Sequence, residues 1–174
     1  MSAPSFLLLT VLIQPVSAQT CLALSTVVVG SGDTASLELS LDSSADSPPA
    51  ALQWNLQYLP SAIRSLTVDD GPAATAASKT VMCAPSTAGL TCLIMGSNTK
   101  TIPNGVIAKI TAVLASDTTT ATIQLMNPLA ASAEGYFMPA SARSGTITTA
   151  NVSADRRIRP PLRRITATQC HSTQ

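Results

Sequence analysis

Two stretches of this 174-residue chain, Ala35–Leu41 and Leu52–Tyr58, alternate apolar and polar residues with a strict period of two. Leu37, Leu39 and Leu41 fall on one side, against Ser36, Glu38 and Ser40. Leu52, Trp54, Leu56 and Tyr58 oppose Gln53, Asn55 and Gln57 in the same way. Successive side chains of an extended chain point to opposite faces, so each stretch reads as a half-buried strand with Trp54 and Tyr58 turned to the core. Further strand-like runs follow the same logic: Leu24–Val29, Ser65–Val68, a pair flanking Cys83 and Cys92, Val106–Leu114, Ala121–Met126, Tyr136–Met138 and Gly145–Thr149. Turn residues punctuate them, as in Gly30-Ser31-Gly32-Asp33, Asp69-Asp70-Gly71-Pro72 and Pro103-Asn104-Gly105. No helical period longer than a turn or two appears, so no helix is available to cover a parallel sheet. The expectation is an all-β, antiparallel sandwich of about nine strands.

Both ends differ from this body. Phe6–Ile13 is an apolar run too short to span a bilayer, and Val16-Ser17-Ala18 supplies small residues at a cleavage position. Residues 1–18 therefore read as a signal peptide cut before Gln19, with a buried N-terminal strand as the alternative. Residues 19–150 form the domain, and 151–174 a basic tail containing Pro160-Pro161 and five arginines against Asp155. The body between 33 and 150 is mildly acidic, with eight acidic and five basic residues. Charged residues are only 11% of the chain, which suits an exported β-protein. No aromatic is interleaved with the tail arginines, which argues against nucleic acid. A solvated or self-docking tail is expected instead, and self-assembly through it is one possibility. The sequon Asn151-Val152-Ser153 matters only in a eukaryotic secretory route.

Four cysteines in an exported chain point to two disulfides. Cys83 and Cys92 flank a short loop between apolar runs and suit a local bridge. Cys21 and Cys170 would then tie the chain ends together, stabilising by about 4–5 kcal/mol on the chain-entropy model. A zinc site fails on ligands, since the sole histidine, His171, sits beside Cys170 and no C-x-x-C pair exists. The same histidine is too near the C-terminus to serve a Ser-His-Asp or Cys-His mechanism. Asp69 or Asp70 with Glu134 is a formal carboxylate pair, but the Asp-Asp-Gly-Pro segment reads better as a turn whose aspartates accept backbone hydrogen bonds. The residues thus point to no enzyme, no metal and no cofactor.

Four motifs occur in order over roughly residues 22–149. Val27-Val28-Val29-Gly30 precedes Gly32-Asp33-Thr34 and the Leu37/Leu39/Leu41 strand. Leu56-Gln57-Tyr58-Leu59-Pro60-Ser61-Ala62-Ile63 follows, then Gly105-Val106-Ile107-Ala108-Lys109-Ile110 and Gly145-Thr146-Ile147-Thr148. Together they resemble the cohesin domains of bacterial extracellular complexes. That resemblance implies a nine-stranded jelly-roll sandwich that binds a dockerin through the outward positions of the strand carrying Trp54. Here Leu59 stands where the family has an acidic residue, and Ala51 and Gln53 stand where Asn and Asp are common.

The expected function is a secreted or cell-surface, non-catalytic module binding a protein partner, dockerin-like or other, through one sheet face. Gln53, Asn55 and Gln57 are its candidate contacts, on a face expected to be polar and low in charge. A carbohydrate-binding or adhesive module is the alternative, which exposure of Tyr136 or Phe137 beside polar groups would favour. A structural subunit of an extracellular fibre or matrix is the third reading.

Overall fold

The computed structural model describes residues 20–30 and 34–150. The expected signal peptide, the basic tail, Cys170 and His171 lie outside the described residues. Twelve strands and one short helix occupy the described part: β1 (Thr20–Leu24), β2 (Val27–Gly30), β3 (Thr34–Ser43), β4 (Ala51–Gln57), β5 (Ile63–Asp70), α1 (Pro72–Ala76), β6 (Thr80–Ser86), β7 (Gly89–Met95), β8 (Gly105–Leu114), β9 (Thr120–Ala131), β10 (Phe137–Met138), β11 (Ala140–Arg143) and β12 (Gly145–Ala150). They form two sheets packed face to face. One has five strands in the order β11-β1-β3-β8-β5. The other has seven, in the order β2-β12-β9-β4-β7-β6, with β10 added beside β9.

The two alternating stretches become β3 and β4, and their apolar sides meet between the sheets. Leu37 and Leu39 from β3, Leu52, Trp54 and Leu56 from β4, and Ile107, Ile110 and Ile123 are fully buried there. Each such side chain contributes roughly 1.5–3 kcal/mol of hydrophobic stabilisation relative to exposure. Trp54 is core, as its strand pattern requires, and Tyr58 is half-buried against the same cluster.

The sandwich is the expected one, with three refinements. First, the run read as Leu24–Val29 is two strands. β1 pairs with β3 in the five-stranded sheet, and β2 pairs with β12 in the other. Ser25 makes the crossing, donating its N–H to Glu38 O and accepting the Glu38 N–H on its hydroxyl, both at 2.9 Å. The crossing passes over Gly145, where a Cβ would fall 2.4 Å from Ser25 O. Second, the ladders are antiparallel except at two edges, where β1 runs parallel to β11 and β2 parallel to β12. Both exceptions arise from the split strand.

Third, β9 does not stop at Met126 but continues to Ala131 through a bulge. Asn127 and Pro128 together face Trp54 on β4, and Asn127 takes φ 49°. The bulge leaves proline's missing donor without a ladder partner to disappoint, which is how Pro128 is tolerated in an inner strand. The Asp69-Asp70-Gly71-Pro72 segment likewise closes β5 and opens α1 instead of forming a bare turn. Asp70 does accept a backbone hydrogen bond, from Val81 N–H at 2.6 Å. Among the described residues no helix is long and apolar enough to cross a membrane.

Candidate functional site

Strand register fixes what the seven-stranded sheet shows to solvent. Gln53, Asn55 and Gln57 lie on its outer face, half-buried, on the central strand β4. Leu93 and Leu129 flank Gln53, Thr91 and Met126 flank Asn55, and Gly89 and Gln124 flank Gln57. Met82 lies beyond Leu93 on the edge strand, while Phe137 lies beyond Ala131 on β10. On β6, β7, β9 and β10, five outward apolar side chains are well exposed: Met82 52%, Met95 43%, Met126 37%, Leu129 45% and Phe137 83%. A shallow hollow of about 130 Å³ sits among Ala51, Gln53, Leu93, Leu129, Ala131 and Phe137.

The charge distribution is lopsided. The strands of the seven-stranded sheet contain no Asp, Glu, Lys or Arg. Every charged strand residue belongs to the five-stranded sheet: Glu38, Asp42, Arg64, Asp69, Asp70, Lys109 and Arg143. Lys109 stands directly between Glu38 and Asp69 in register, an arrangement that opposite charges on neighbouring strands favour. One broad face is therefore ionic, and the other is neutral and partly greasy.

The sequence-based expectation of a polar face is thus half of what the register assembles. The amides of Gln53 and Asn55 stand in an apolar field contributed by β6, β7, β9 and β10. The signal for it lay in Gly89–Met95, which is apolar on both faces. Leu90, Cys92 and Ile94 point inward, which leaves Leu93 and Met95 outside. Such a two-sided apolar run ordinarily marks a strand buried on both sides.

Cys83 and Cys92 are bonded across β6 and β7, as a directly opposed pair in the ladder. This bridge pins the edge strand that carries Met82. No described cysteine is free; Cys170, the expected partner of Cys21, lies outside the described residues. The carboxylates considered for hydrolysis are not brought together. Asp69 and Asp70 end β5, on the flank that packs beside β6, while Glu134 sits in the turn beyond β9, toward the β11 flank. The Ser132 hydroxyl, with a backbone hydrogen bond of its own residue, holds the exposed Glu134 carboxyl below the usual carboxylate range. That is the wrong direction for a general acid. Tyr136 is 73% exposed and Phe137 83%, because Tyr136 still belongs to the turn anchored by Ser132.

Comparison with solved structures matches this sandwich to cohesin modules. The cohesin OlpA of Clostridium thermocellum, solved with a dockerin, superposes with a TM-score of 0.67 at 13% identity, covering 76% of this chain and 99% of that one. The solution structure of the cohesin CaCohA2 of Clostridium acetobutylicum gives 0.61 at 17% identity, with 79% and 94% covered. A non-cellulosomal cohesin of the archaeon Archaeoglobus fulgidus gives 0.61 at 11% identity, with 77% and 93% covered. The fold is cohesin-like. No family model matches the sequence, and no curated protein does. Two of the motifs noted in the sequence sit at structural joints, while the Gly32-Asp33 turn lies outside the described residues. Gly105–Ile110 opens β8, and Gly145–Thr148 opens β12 at the β1–β2 crossing. Leu59 is 69% exposed just beyond the end of β4.

Proposed function

We propose that this chain is a non-catalytic protein–protein interaction module, acting in an extracellular or cell-surface setting. It docks a folded protein through the outer face of β6, β7, β4 and β9. The observation that carries this reading is the neutral face itself, with Met82, Leu93, Met126, Leu129 and Phe137 around the amides of Gln53 and Asn55. Exposed apolar groups in a contiguous field mark interaction surfaces. Methionine adapts its shape to a partner, and an aromatic anchor beside it is the usual source of binding energy. The solved cohesins captured with dockerins lend the reading support through their shared fold. The Cys83–Cys92 bridge suits an oxidising compartment.

The test is affinity capture from the producing organism's secreted proteins, comparing the parent protein with the double variant Met82→Lys/Leu129→Lys. Both positions are exposed, so folding is retained, and capture is expected to fall by at least about tenfold, as for a hot-spot loss. Because the face is uncharged, raising salt to about 0.5 M should leave capture by the parent protein unchanged. Undiminished capture by the double variant, or capture that vanishes only when residues 151–174 are removed, refutes the assignment.

A further inference from the structure

At the opposite end of β4 from Phe137, two adjoining hollows open where the strand runs into Tyr58 and Leu59. The first, of about 340 Å³, is lined by Gln57, Tyr58, Leu59, Thr120, Thr122 and Gln124. The second, of about 400 Å³, is lined chiefly by Ser61, Arg64, Ser116, Thr118 and Thr119, and shares Ala62 and Thr120 with the first. We propose that the first hollow is a binding site for a neutral saccharide of one or two rings, separate from the apolar docking field.

The chemistry of the lining selects this ligand class. Gln57 and Gln124 are direct cross-strand partners on the outward face, so their carboxamides stand side by side at the rim. A carboxamide offers two donors and an acceptor, and it meets neighbouring hydroxyls of a sugar through both functions. Thr120 and Thr122 project from alternate positions of β9 on the same outward side, adding two hydroxyls that donate and accept. Among the described residues, no side-chain hydrogen bond engages Gln57, Gln124, Thr122 or the Tyr58 hydroxyl. These groups are therefore available to a ligand. Tyr58 is half-buried and packed against the core, and Leu59 is 69% exposed beside it. Together they form an apolar wall suited to the C–H face of a pyranose.

No charged side chain lines the first hollow, so phosphates, sulfates and carboxylates find no counter-ion there. Arg64 lines only the second hollow, where its guanidinium donates to Ser116 Oγ at 2.7 Å. The first hollow's volume lies within the usual range of small-molecule sites, roughly 300–1,000 Å³. Gln57 thereby parts company with Gln53 and Asn55: it ends the same strand but faces this uncharged hollow, not the methionines.

The experiment is nuclear magnetic resonance titration of the side-chain amides of Gln57 and Gln124. The probes are cellobiose, maltose, lactose and N,N′-diacetylchitobiose, each added to about 20 mM, a level that detects millimolar affinity. At least one probe should give saturable shifts of both amides and of Thr122, with Kd between about 0.1 and 5 mM. Gln57→Ala/Gln124→Ala should weaken that binding at least tenfold while the rest of the spectrum stays unchanged, and Thr122→Val should weaken it less. The proposal is overturned if no probe shifts these amides, or if the shifts survive in the double variant. Glucose 6-phosphate is titrated as a fifth, charged probe, and the proposal is also overturned if it alone binds and moves Arg64. Loss of protein-partner capture in the double variant, without any sugar response, would hand the hollow to the protein interface instead.

Discussion

Replacing Asn104 by alanine should destabilise the sandwich far more than a change in a surface turn normally does. β8 begins at Gly105, which pairs with Leu41, so β3 outruns its neighbour by two residues. Asn104 fills the gap with its side chain. Its Oδ1 accepts Ser43 N–H at 2.9 Å and the Ser43 hydroxyl at 2.8 Å, while its Nδ2 donates to Ser43 O at 2.9 Å. The carboxamide thus imitates a peptide unit and extends the ladder. Ser43 is only 9% exposed, so water reaches the stranded groups poorly after truncation. Leaving one N–H and one C=O partly unsatisfied at about 1–3 kcal/mol each, tempered by some hydration, gives a loss of about 2–4 kcal/mol. Against a total of roughly 5–15 kcal/mol, this is a large fraction. It corresponds to a Tm drop of roughly 10 °C for a domain of this size. Asn104→Asp sharpens the test. It keeps the acceptor but sets a carboxylate oxygen against Ser43 O, so the charged form is disfavoured in the folded state and its pKa lies above the unfolded value. Its penalty is full at neutral pH and eases as pH falls through that raised pKa, toward about 3.9 and below. Urea unfolding of both variants at pH 7, and of the Asp variant down to pH 4, measures this. A loss under about 0.5 kcal/mol for Asn104→Ala, or a pH-independent penalty for Asn104→Asp, refutes the argument.

Three other outcomes follow from the packing. Cys83→Ser/Cys92→Ser opens a loop with a sequence separation of 9 and should lower unfolding free energy by about 2.5 kcal/mol on the chain-entropy model, read by denaturant titration under non-reducing conditions. Gly145→Ala places a Cβ 2.4 Å from Ser25 O and 2.8 Å from Leu24 Cγ, at the crossing between sheets. It should cost about 3 kcal/mol or more, visible as a lowered thermal midpoint, because backbone there has nowhere to move. Lys79 is 4% exposed, its ammonium donating to Asn98 O and Oδ1 at 3.1 and 3.2 Å, and burial holds its pKa below the ordinary lysine value. The unfolded chain then binds the proton more tightly than the folded one, so stability should rise with pH between the lowered pKa and about 10.4, where the unfolded lysine titrates. Lys79→Met should remove that rise, and an identical pH profile in the two proteins would contradict it.

The sequence disclosed the fold through its two alternating strands, because a core that accepts Leu37, Leu39, Trp54 and Leu56 from facing sheets leaves period two intact. It disclosed less wherever backbone geometry departs from the regular ladder. The split at Ser25 is invisible in a run of β-branched residues, because both halves remain extended and only their partners change. The continuation of β9 past Asn127-Pro128 is hidden by the same residues that ordinarily end a strand, and only the bulge opposite Trp54 explains them. The outer face was partly legible. Alternation placed Gln53, Asn55 and Gln57 outward, but their neighbours come from β7 and β9, and the rows depend on a register that no local pattern specifies. Hence Met82, Leu93, Met126 and Leu129 joined the face only once strands were paired, and Gln57 separated from the others only when Gln124 was found opposite.

The mixture of amides and methionines on one uncharged sheet has its own consequence for specificity. Apolar area at Met82, Leu93, Leu129 and Phe137 favours any partner that removes it from water. The amide of Gln53, set between Leu93 and Leu129, discriminates among such partners. Burying that carboxamide without a matching donor or acceptor costs about 1–3 kcal/mol, a factor of roughly 5 to 150 in affinity against a mismatched surface. Gln53→Leu should therefore leave the fold intact, weaken the cognate partner whose polar group loses its mate, and raise non-cognate and self-association. Light scattering across a concentration series, beside affinity capture of the cognate partner, measures both effects at once. If the variant self-associates no more than the parent protein and holds its partner as tightly, the amide is a bystander and the apolar field alone defines the interface.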